Sequence, residues 1–192
     1  MTRFGYPVAL DLHDVTVLVV GAGRIAARKV EGLSQAGANV HVVAPEVGPA
    51  VESAVLDGHV AKLRMRPFEP QDLDGVRLVI TATGVPEVDA AVAAQATAAG
   101  IWVNAADRPE DCTFILPAIA RNGPLTIAVT TDGSSPALAA QLRDRAAALL
   151  DDDVVELAGR LHAERDAIKA AGGSTEDHDW RPVIDDVLPP RR

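Results

Sequence analysis

A segment near the N-terminus limits the possible folds of this chain more than any other. Val15–Val20 (VTVLVV) is an unbroken run of β-branched residues and leucine, typical of a strand buried on both faces. Ile25–Ala36 then has the spacing of an amphipathic helix, and Gly37 is a helix-stop signal. Asn39–Ala44 (NVHVVA) is a second buried strand. A strand, a helix and a strand within about 30 residues predict a right-handed βαβ crossover between parallel strands.

The same alternation continues beyond this unit. The sequence predicts further strands at 62–68, 76–83 and 101–106, and further helices at 47–57 and 87–99. Strands that alternate with helices in this way predict an α/β fold, here a Rossmann-type doubly wound parallel sheet.

The pattern then changes. Two apolar stretches at 113–121 and 124–131 flank Asn122-Gly123, which predicts a β-hairpin. Helices are predicted at 134–150, where Ser134-Ser135-Pro136 supplies caps and an early proline, and at 154–171. The residues after them read as a weakly ordered acidic tail. We therefore expect a Rossmann domain at 1–112, a hairpin and helix region at 113–150, and a C-terminal helical segment with the tail at 151–192.

Composition excludes several classes of function. The 192 residues include 18 Lys and Arg against 27 Asp and Glu, a net charge of −9, which argues against a nucleic-acid-binding surface. No apolar run approaches the roughly 20 residues that a membrane span needs, and the N-terminus lacks a signal-peptide pattern. We expect a cytoplasmic protein.

The single cysteine, Cys112, forms no intrachain disulfide or cysteine zinc cluster, and the five histidines show no ligand spacing, so we expect no metal site.

The turn after the first strand carries the clearest motif. Residues 21–26 read G-A-G-R-I-A, which fits G-x-G-x-x-A between a strand and a helix. Gly21 would make the tight turn, Gly23 would let the backbone approach a pyrophosphate, and Ala26 would let the helix pack closely. Free N–H groups and the helix dipole favour phosphate at this position. The motif predicts a dinucleotide site; a purely structural turn is the alternative.

The ends of the other strands are the expected neighbours of this site. Glu46, after Ala44 and Pro45, is placed to bind ribose hydroxyls. No arginine follows closely to hold a 2′-phosphate, so the sequence favours NAD over NADP. An ordinary surface role for Glu46 is the alternative. Small residues at Thr81–Thr83 leave room for a cofactor. Asp107, after the last strand, is a candidate acid or base, with a turn-capping aspartate as the alternative.

Several segments together resemble a known family. They are VLVVGAGRIAARKVEGLSQAGANVHVVAP, VITATGVPEVD and VNAADRPEDCTFILPAIARNGPLTIAVTTDGSSPALAAQLRD. The order and spacing of G-x-G-x-x-A-x-R-K, N-x-x-D, F-x-x-P-A-I and T-x-G-x-S-P-x-L-A resemble the precorrin-2 dehydrogenase family, which includes the dehydrogenase/ferrochelatase modules of siroheme synthases. The resemblance extends from about Phe4 to about Leu150.

The resemblance implies an NAD-dependent oxidation of precorrin-2 to sirohydrochlorin in siroheme or cobalamin biosynthesis. In much of the family the same site also inserts Fe²⁺, and the chains form intertwined homodimers through the region after the Rossmann domain. The resemblance also implies a catalytic role for Asp107. The implied cofactor contacts are Gly21, Gly23, Arg24, Ile25, Ala44, Pro45, Glu46, Thr81, Ala82 and Thr83. The implied contacts to the tetrapyrrole are Asn104, Arg108, Thr131, Ser134 and Ser135.

Two other functions remain open at this point. The chain is too short to hold the methyltransferase domain of the fused siroheme synthases as well, so we expect only the dehydrogenase module. A non-catalytic NAD-sensing Rossmann module would account for GAGRIAARK but not for the hairpin and the Ser-Ser-Pro helix. A small dehydrogenase acting on another substrate is the second alternative.

Overall fold

The computed structural model describes residues 3–176 and 178–189. It divides into two compact units, with the boundary between Leu116 and Pro117. The first unit is a five-stranded sheet in the order β3-β2-β1-β4-β5, with all neighbouring strands parallel. Its strands are β1 (Thr16–Val20), β2 (Asn39–Val43), β3 (Lys62–Arg64), β4 (Leu78–Thr81) and β5 (Trp102–Ala105). The predicted Rossmann-type parallel sheet is therefore confirmed.

Helices connect these strands and cover both faces of the sheet. They are α1 (Arg24–Gln35), α2 (Pro49–Leu56) and α3 (Pro86–Ala98), with 3₁₀ turns at Pro70–Leu73 and Pro109–Asp111. Alternate residues of each central strand enter two separate apolar layers; Val17 and Val19 pack with Val30 of α1, whereas Leu18 packs with Val92 of α3. Because both faces are covered, the strands are continuous apolar runs, as in buried parallel sheets.

The predicted strand at 62–68 is wrong in length. It ends at Arg64, so Lys62, Arg64 and Arg66 do not share one strand face. Arg66 instead donates two hydrogen bonds of 2.8 Å to the buried carboxylate of Asp72, and Arg64 lies 3.5 Å from the same carboxylate. Burial alone would raise the pKa of Asp72, but the hydrogen bonds from Arg66 and from the Glu69 amide hold it below its usual value. This ion pair turns the chain away from the sheet.

The second unit begins with the predicted hairpin. β6 (Ala118–Asn122) and β7 (Leu125–Val129) pair antiparallel, and both are shorter than expected. β6 begins late because residues 113–114 bond to β5 instead. α4 (Pro136–Ala147) packs on this hairpin, and α5 (Asp152–Ala170) follows it.

The segment after α5 corrects another expectation. A short helix, α6 (Arg181–Asp185), lies where we expected a weakly ordered tail. The Trp180 ring contacts the His178 ring in a tilted arrangement at 4.3 Å between centroids, and its indole N–H donates to the Thr175 carbonyl. His178 in turn lies 3.0 Å from Glu164 of α5. These contacts order a segment whose acidic composition suggested a loose tail; residues 177 and 190–192 of that expectation lie outside the described residues. Within the described part of the chain, no helix is long and apolar enough to cross a membrane.

Candidate functional site

The carboxyl ends of four parallel strands meet at one edge of the sheet. The residue after a strand donates a hydrogen bond to the neighbouring strand. Gly21 N–H, after β1, donates to Val43 O of β2 at 2.9 Å, and Ala82 N–H, after β4, donates to Val20 O of β1 at 2.8 Å. Ala106 N–H donates to Thr81 O at 2.9 Å. The sheet therefore brings the glycine turn, the Thr81–Thr83 segment and the Asp107 turn onto one edge, as predicted for a doubly wound fold.

The two glycines of the motif occupy different surroundings. Gly21 has φ +107°, and a Cβ there would lie 2.3 Å from the Ala82 carbonyl oxygen, so the chain itself requires glycine. A Cβ at Gly23 would meet no atom within 4 Å in the part of the chain that the structure describes. Gly23 precedes α1, whose start has no side-chain cap, so N–H groups of the first helical turn face that open space. These features fit a bound pyrophosphate, which needs both the free donors and the missing side chain.

The neighbouring strand end is built onto the same turn. Ala44 is buried, and its N–H donates to Arg64 O at 3.1 Å, whereas Pro45 and Glu46 are exposed. Gly48 N–H then donates to Ala22 O at 3.0 Å, which ties the segment to the glycine turn. Arg24 and Ile25 are exposed on the first turn of α1. The structure thus brings together the predicted cofactor residues of the first two strand ends.

The Thr81–Thr83 segment has a support that the sequence analysis missed. Thr81 is fully buried, and its hydroxyl has no hydrogen-bond partner among the described residues. Thr83 N–H donates at 3.1 Å to the buried carboxylate of Asp89, in the first turn of α3. An acidic residue early in a predicted helix was the available signal for Asp89. The segment borders the crevice with its backbone fixed.

Asp107 stands on a constrained turn. Its φ is +59°, a left-handed conformation that aspartate tolerates better than most residues, and its side chain is exposed. Cys112 fills the turn from inside: Ala105 N–H donates to its sulfur at 3.2 Å, and the sulfur lies 3.4 Å from the carbonyl oxygens of Ala105 and Arg108. The carboxylate therefore projects from a turn whose backbone is held in place.

A lysine of the same motif lies within electrostatic range of Asp107. Lys29, in α1, is half-buried, and burial lowers its pKa, as does the nearby charge of Arg28. The charges of Asp107 and Cys112 act on Lys29 in the opposite direction. In the sequence, Lys29 stands out only as the last residue of G-x-G-x-x-A-x-R-K, because a linear pattern does not show its electrostatic interaction with Asp107.

Two predicted substrate contacts already have partners in the chain. The buried amide of Asn104 donates to Phe114 O at 3.2 Å and lies 3.7 Å from the Cys112 sulfur. Arg108 bonds to the Asp111 carboxylate and lies 3.4 Å from that of Glu110; this pairing raises the pKa of its guanidinium. Both residues hold the Asp107 turn, and contact with a substrate stays a prediction for each.

The remaining predicted contacts lie in the second unit, where they shape the start of α4. The Thr131 hydroxyl accepts from Ser135 N–H and donates to Ser135 O, each at 3.0 Å. The Ser135 hydroxyl caps the helix by accepting from Leu138 N–H at 3.2 Å. Ser134 is exposed, and Asp132 has φ +55°. Among the described residues there is no cluster of three or more potential metal ligands.

Comparison with known proteins agrees with this geometry. A family model described as "Putative NAD(P)-binding" matches residues 8–118, and one described as "Sirohaem biosynthesis protein central" matches 122–148. The chain is 41% identical to siroheme synthase of Methylobacillus flagellatus over 184 residues, which are 95% of this chain and 39% of that protein. It is 41% identical to siroheme synthase of Pseudomonas entomophila over 85% of this chain and 35% of that protein. The chain thus spans about two-fifths of the length of these relatives.

A solved structure extends the match to almost the whole chain. The structure of SirC, a precorrin-2 dehydrogenase, superimposes with a TM-score of 0.72 at 28% identity and covers 93% of this chain and 92% of that one. In this chain the two family models follow one another, the first over the sheet domain and the second over the hairpin and α4. The chain therefore belongs to the precorrin-2 dehydrogenase family of NAD(P)-binding proteins.

Proposed function

We propose that this chain oxidises precorrin-2 to sirohydrochlorin with NAD as the electron acceptor. The observation that carries the proposal is the juxtaposition of the open glycine turn at Gly23 and the constrained Asp107 turn at one sheet edge. The similarity to precorrin-2 dehydrogenase over nine-tenths of both chains supports the choice of substrate.

The cofactor preference rests on Glu46. Its exposed carboxylate follows the second strand, where Rossmann proteins bind the ribose of the adenosine. A carboxylate accepts hydrogen bonds from ribose hydroxyls and repels a 2′-phosphate, so NAD is preferred over NADP.

The residues of the crevice account for the chemistry. When bound, the nicotinamide accepts the hydride that the oxidation removes, and the other hydrogen leaves as a proton. Asp107, exposed on its fixed turn, is the group that accepts this proton or orients the macrocycle at the crevice. Lys29 supplies a positive charge next to that carboxylate. Arg108, Asn104 and the Thr131–Ser135 segment are the proposed contacts to the tetrapyrrole and its carboxylates.

Two further properties extend the proposal. Insertion of Fe²⁺ as a substrate would require the pyrrole N–H groups to lose protons, and Asp107 is the proposed acceptor there as well.

The second unit exposes Ile119, Leu138, Leu142 and Leu149. We propose that these apolar side chains form the contact between two copies of the chain.

An anaerobic assay with freshly prepared precorrin-2 tests the function. We expect equal amounts of NADH and sirohydrochlorin with NAD, and much slower turnover with NADP. A chain that binds NAD but forms no sirohydrochlorin would be a nucleotide sensor, and the proposal would be wrong. Adding Fe²⁺ after the oxidation is complete tests for siroheme formation separately.

A further inference from the structure

The turn that carries Asp107 follows β5, the last strand on one side of the sheet, and little regular structure holds it. β5 is an edge strand, and the chain leaves it at Ala105. It returns at Thr113, whose N–H donates to Val103 O at 2.8 Å and whose hydroxyl accepts from Val103 N–H at 2.7 Å. The loop between these anchors contains only the one-turn 3₁₀ helix Pro109–Asp111. Its position therefore depends on contacts other than the sheet.

A residue more than 100 positions away supplies such contacts. The Arg3 guanidinium donates to three carbonyl oxygens of this loop: Nη1 to Pro109 at 2.9 Å, and Nη2 to Glu110 at 3.0 Å and to Cys112 at 2.8 Å. Pro109 O also accepts from Cys112 N–H at 3.2 Å. The last carbonyls of a helical turn have no partner within it, and a cation there complements their partial negative charge. Arginine suits this position because its rigid fork presents several donors at once.

The segment that carries Arg3 is fixed at its other end as well. Leu12 packs against the α1 side of the core, and Asp14 N–H donates to Gly37 O at 3.1 Å, just beyond the end of α1. Since α1 begins at the glycine turn, Gly37 lies at the opposite edge of the sheet from Asp107. The N-terminal arm, residues 3–14, therefore reaches from the amino edge of the sheet to the loop after Asp107.

The loop is thus held from two sides. Inside it, Cys112 is only 3% exposed and its sulfur contacts Ala105 and Arg108, the two residues that bracket the Asp107 turn. Outside it, Arg3 binds the carbonyl of Cys112 itself. Loss of the Arg3 contacts would free the segment that keeps the sulfur in the turn, and with it the backbone that sets the direction of the Asp107 side chain.

We propose that Arg3 is a positioning residue for Asp107: the N-terminal arm clamps the loop that follows the catalytic aspartate. The proposal rests on the proposed function, because it assigns Asp107 a part in the oxidation. It adds a residue far from every motif of the family resemblance, and it makes the N-terminal arm part of the active site.

Two readouts on Arg3→Ala test this clamp in the full-length chain. The first is the rate at which a thiol reagent labels Cys112, the only cysteine in the sequence. Burial raises the pKa of this thiol, so it reacts only when the loop opens. We expect labelling about tenfold faster than in the parent chain, the effect of losing roughly one strong hydrogen bond. The second readout is precorrin-2 turnover, which we expect to fall by about five- to tenfold while the NAD dissociation constant stays within about twofold.

Three further samples separate positioning from general loss of structure. Added methylguanidinium should restore part of the turnover of Arg3→Ala, and Arg3→Lys should be intermediate, since one ammonium cannot reach all three carbonyls. Arg77→Ala is the matched control: this exposed arginine precedes β4 at the amino edge, and its backbone bonds to Thr16 and Trp102 remain in the variant.

The outcomes are distinct. Unchanged labelling of Cys112 in Arg3→Ala would overturn the clamp. Faster labelling with unchanged turnover would overturn the link to Asp107. Parallel losses of turnover, NAD affinity and melting temperature without rescue would reduce Arg3 to a structural residue and overturn the proposal. If the parent chain itself does not oxidise precorrin-2, the proposed function fails, and faster labelling still supports the clamp as a property of the loop.

Discussion

Gly21 and Gly23 stand two positions apart in one motif, yet they meet different physical requirements. The strand packing requires Gly21, because any side chain there would collide with the Ala82 carbonyl oxygen. No atom of the described residues lies within 4 Å of a Cβ placed at Gly23. The folded protein alone would therefore accept a side chain at Gly23, and we expect the need for glycine there to come from the proposed cofactor.

This difference gives the first prediction. Gly23→Val should abolish NAD binding, because the side chain would occupy the space of the pyrophosphate, while the melting temperature changes little. Gly21→Val should instead lower the melting temperature or prevent folding. Calorimetric titration with NAD and thermal unfolding of both variants measure the two effects. NAD affinity unchanged in Gly23→Val would mean that the cofactor does not bind at this turn.

The second prediction for a single residue concerns Lys29. The charge of Asp107 acts to raise the pKa of the half-buried Lys29, and a charge interaction near a protein surface contributes on the order of 1 kcal/mol. We therefore expect Lys29→Met to lower turnover roughly fivefold with NAD affinity unchanged. The exposed neighbour Arg28→Met is the control. In a double-mutant cycle with Asp107→Asn, additive effects of the two substitutions would show that the two side chains act independently.

At the scale of elements, hydrophobic patterning predicted the architecture well and the ends of its elements less well. The buried runs of β1, β2, β4 and β5 are visible in the sequence because a strand covered on both faces is apolar throughout. The predicted strand at 62–68 was too long, because alternating basic and apolar residues look like a strand, whereas a buried aspartate six residues after Arg66 draws it away. Patterns also cannot show hydrogen bonds across a hundred residues, so Arg3 was missed, together with the part that Cys112 plays in the Asp107 turn.

The Asp72 ion pair makes a prediction at this scale. Because the folded-state pKa of Asp72 lies below its unfolded value, the pair stabilises the fold above about pH 4 and loses this effect as the pH falls through the folded-state value. We expect Asp72→Asn to lower the free energy of unfolding by about 1–3 kcal/mol at neutral pH. Urea unfolding of both proteins from pH 7 downward measures the difference, which should shrink below about pH 4. A penalty independent of pH would contradict the assigned ion pair.

The whole molecule consists of a sheet domain and a second unit, and each of them exposes apolar side chains. Ile119, Leu138, Leu142 and Leu149 of the second unit are between 36% and 53% exposed. The sequence predicted the hairpin and helix that carry them, but burial by a second copy depends on surface shape, which a linear pattern does not contain.

We expect a dimer with two-fold symmetry through this surface. Light scattering at micromolar concentration should give twice the mass of the chain, and Ile119→Asp combined with Leu142→Asp should give a folded monomer. Leu56→Asp, on the exposed side of α2 in the sheet domain, should remain a dimer. A parent chain that is monomeric under these conditions would reject the proposed contact.

The most direct test of the account is the effect of Asp107→Asn on the oxidation of precorrin-2, measured beside an NAD titration. The amide keeps the shape of the side chain but cannot accept the proton, and general acid–base groups contribute about 10²–10⁴-fold to rate. We expect unchanged NAD affinity and dimerisation, with sirohydrochlorin formation reduced by about that factor. Turnover within about threefold of the parent chain, far short of that range, would show that Asp107 only shapes its turn and would contradict the proposed chemistry.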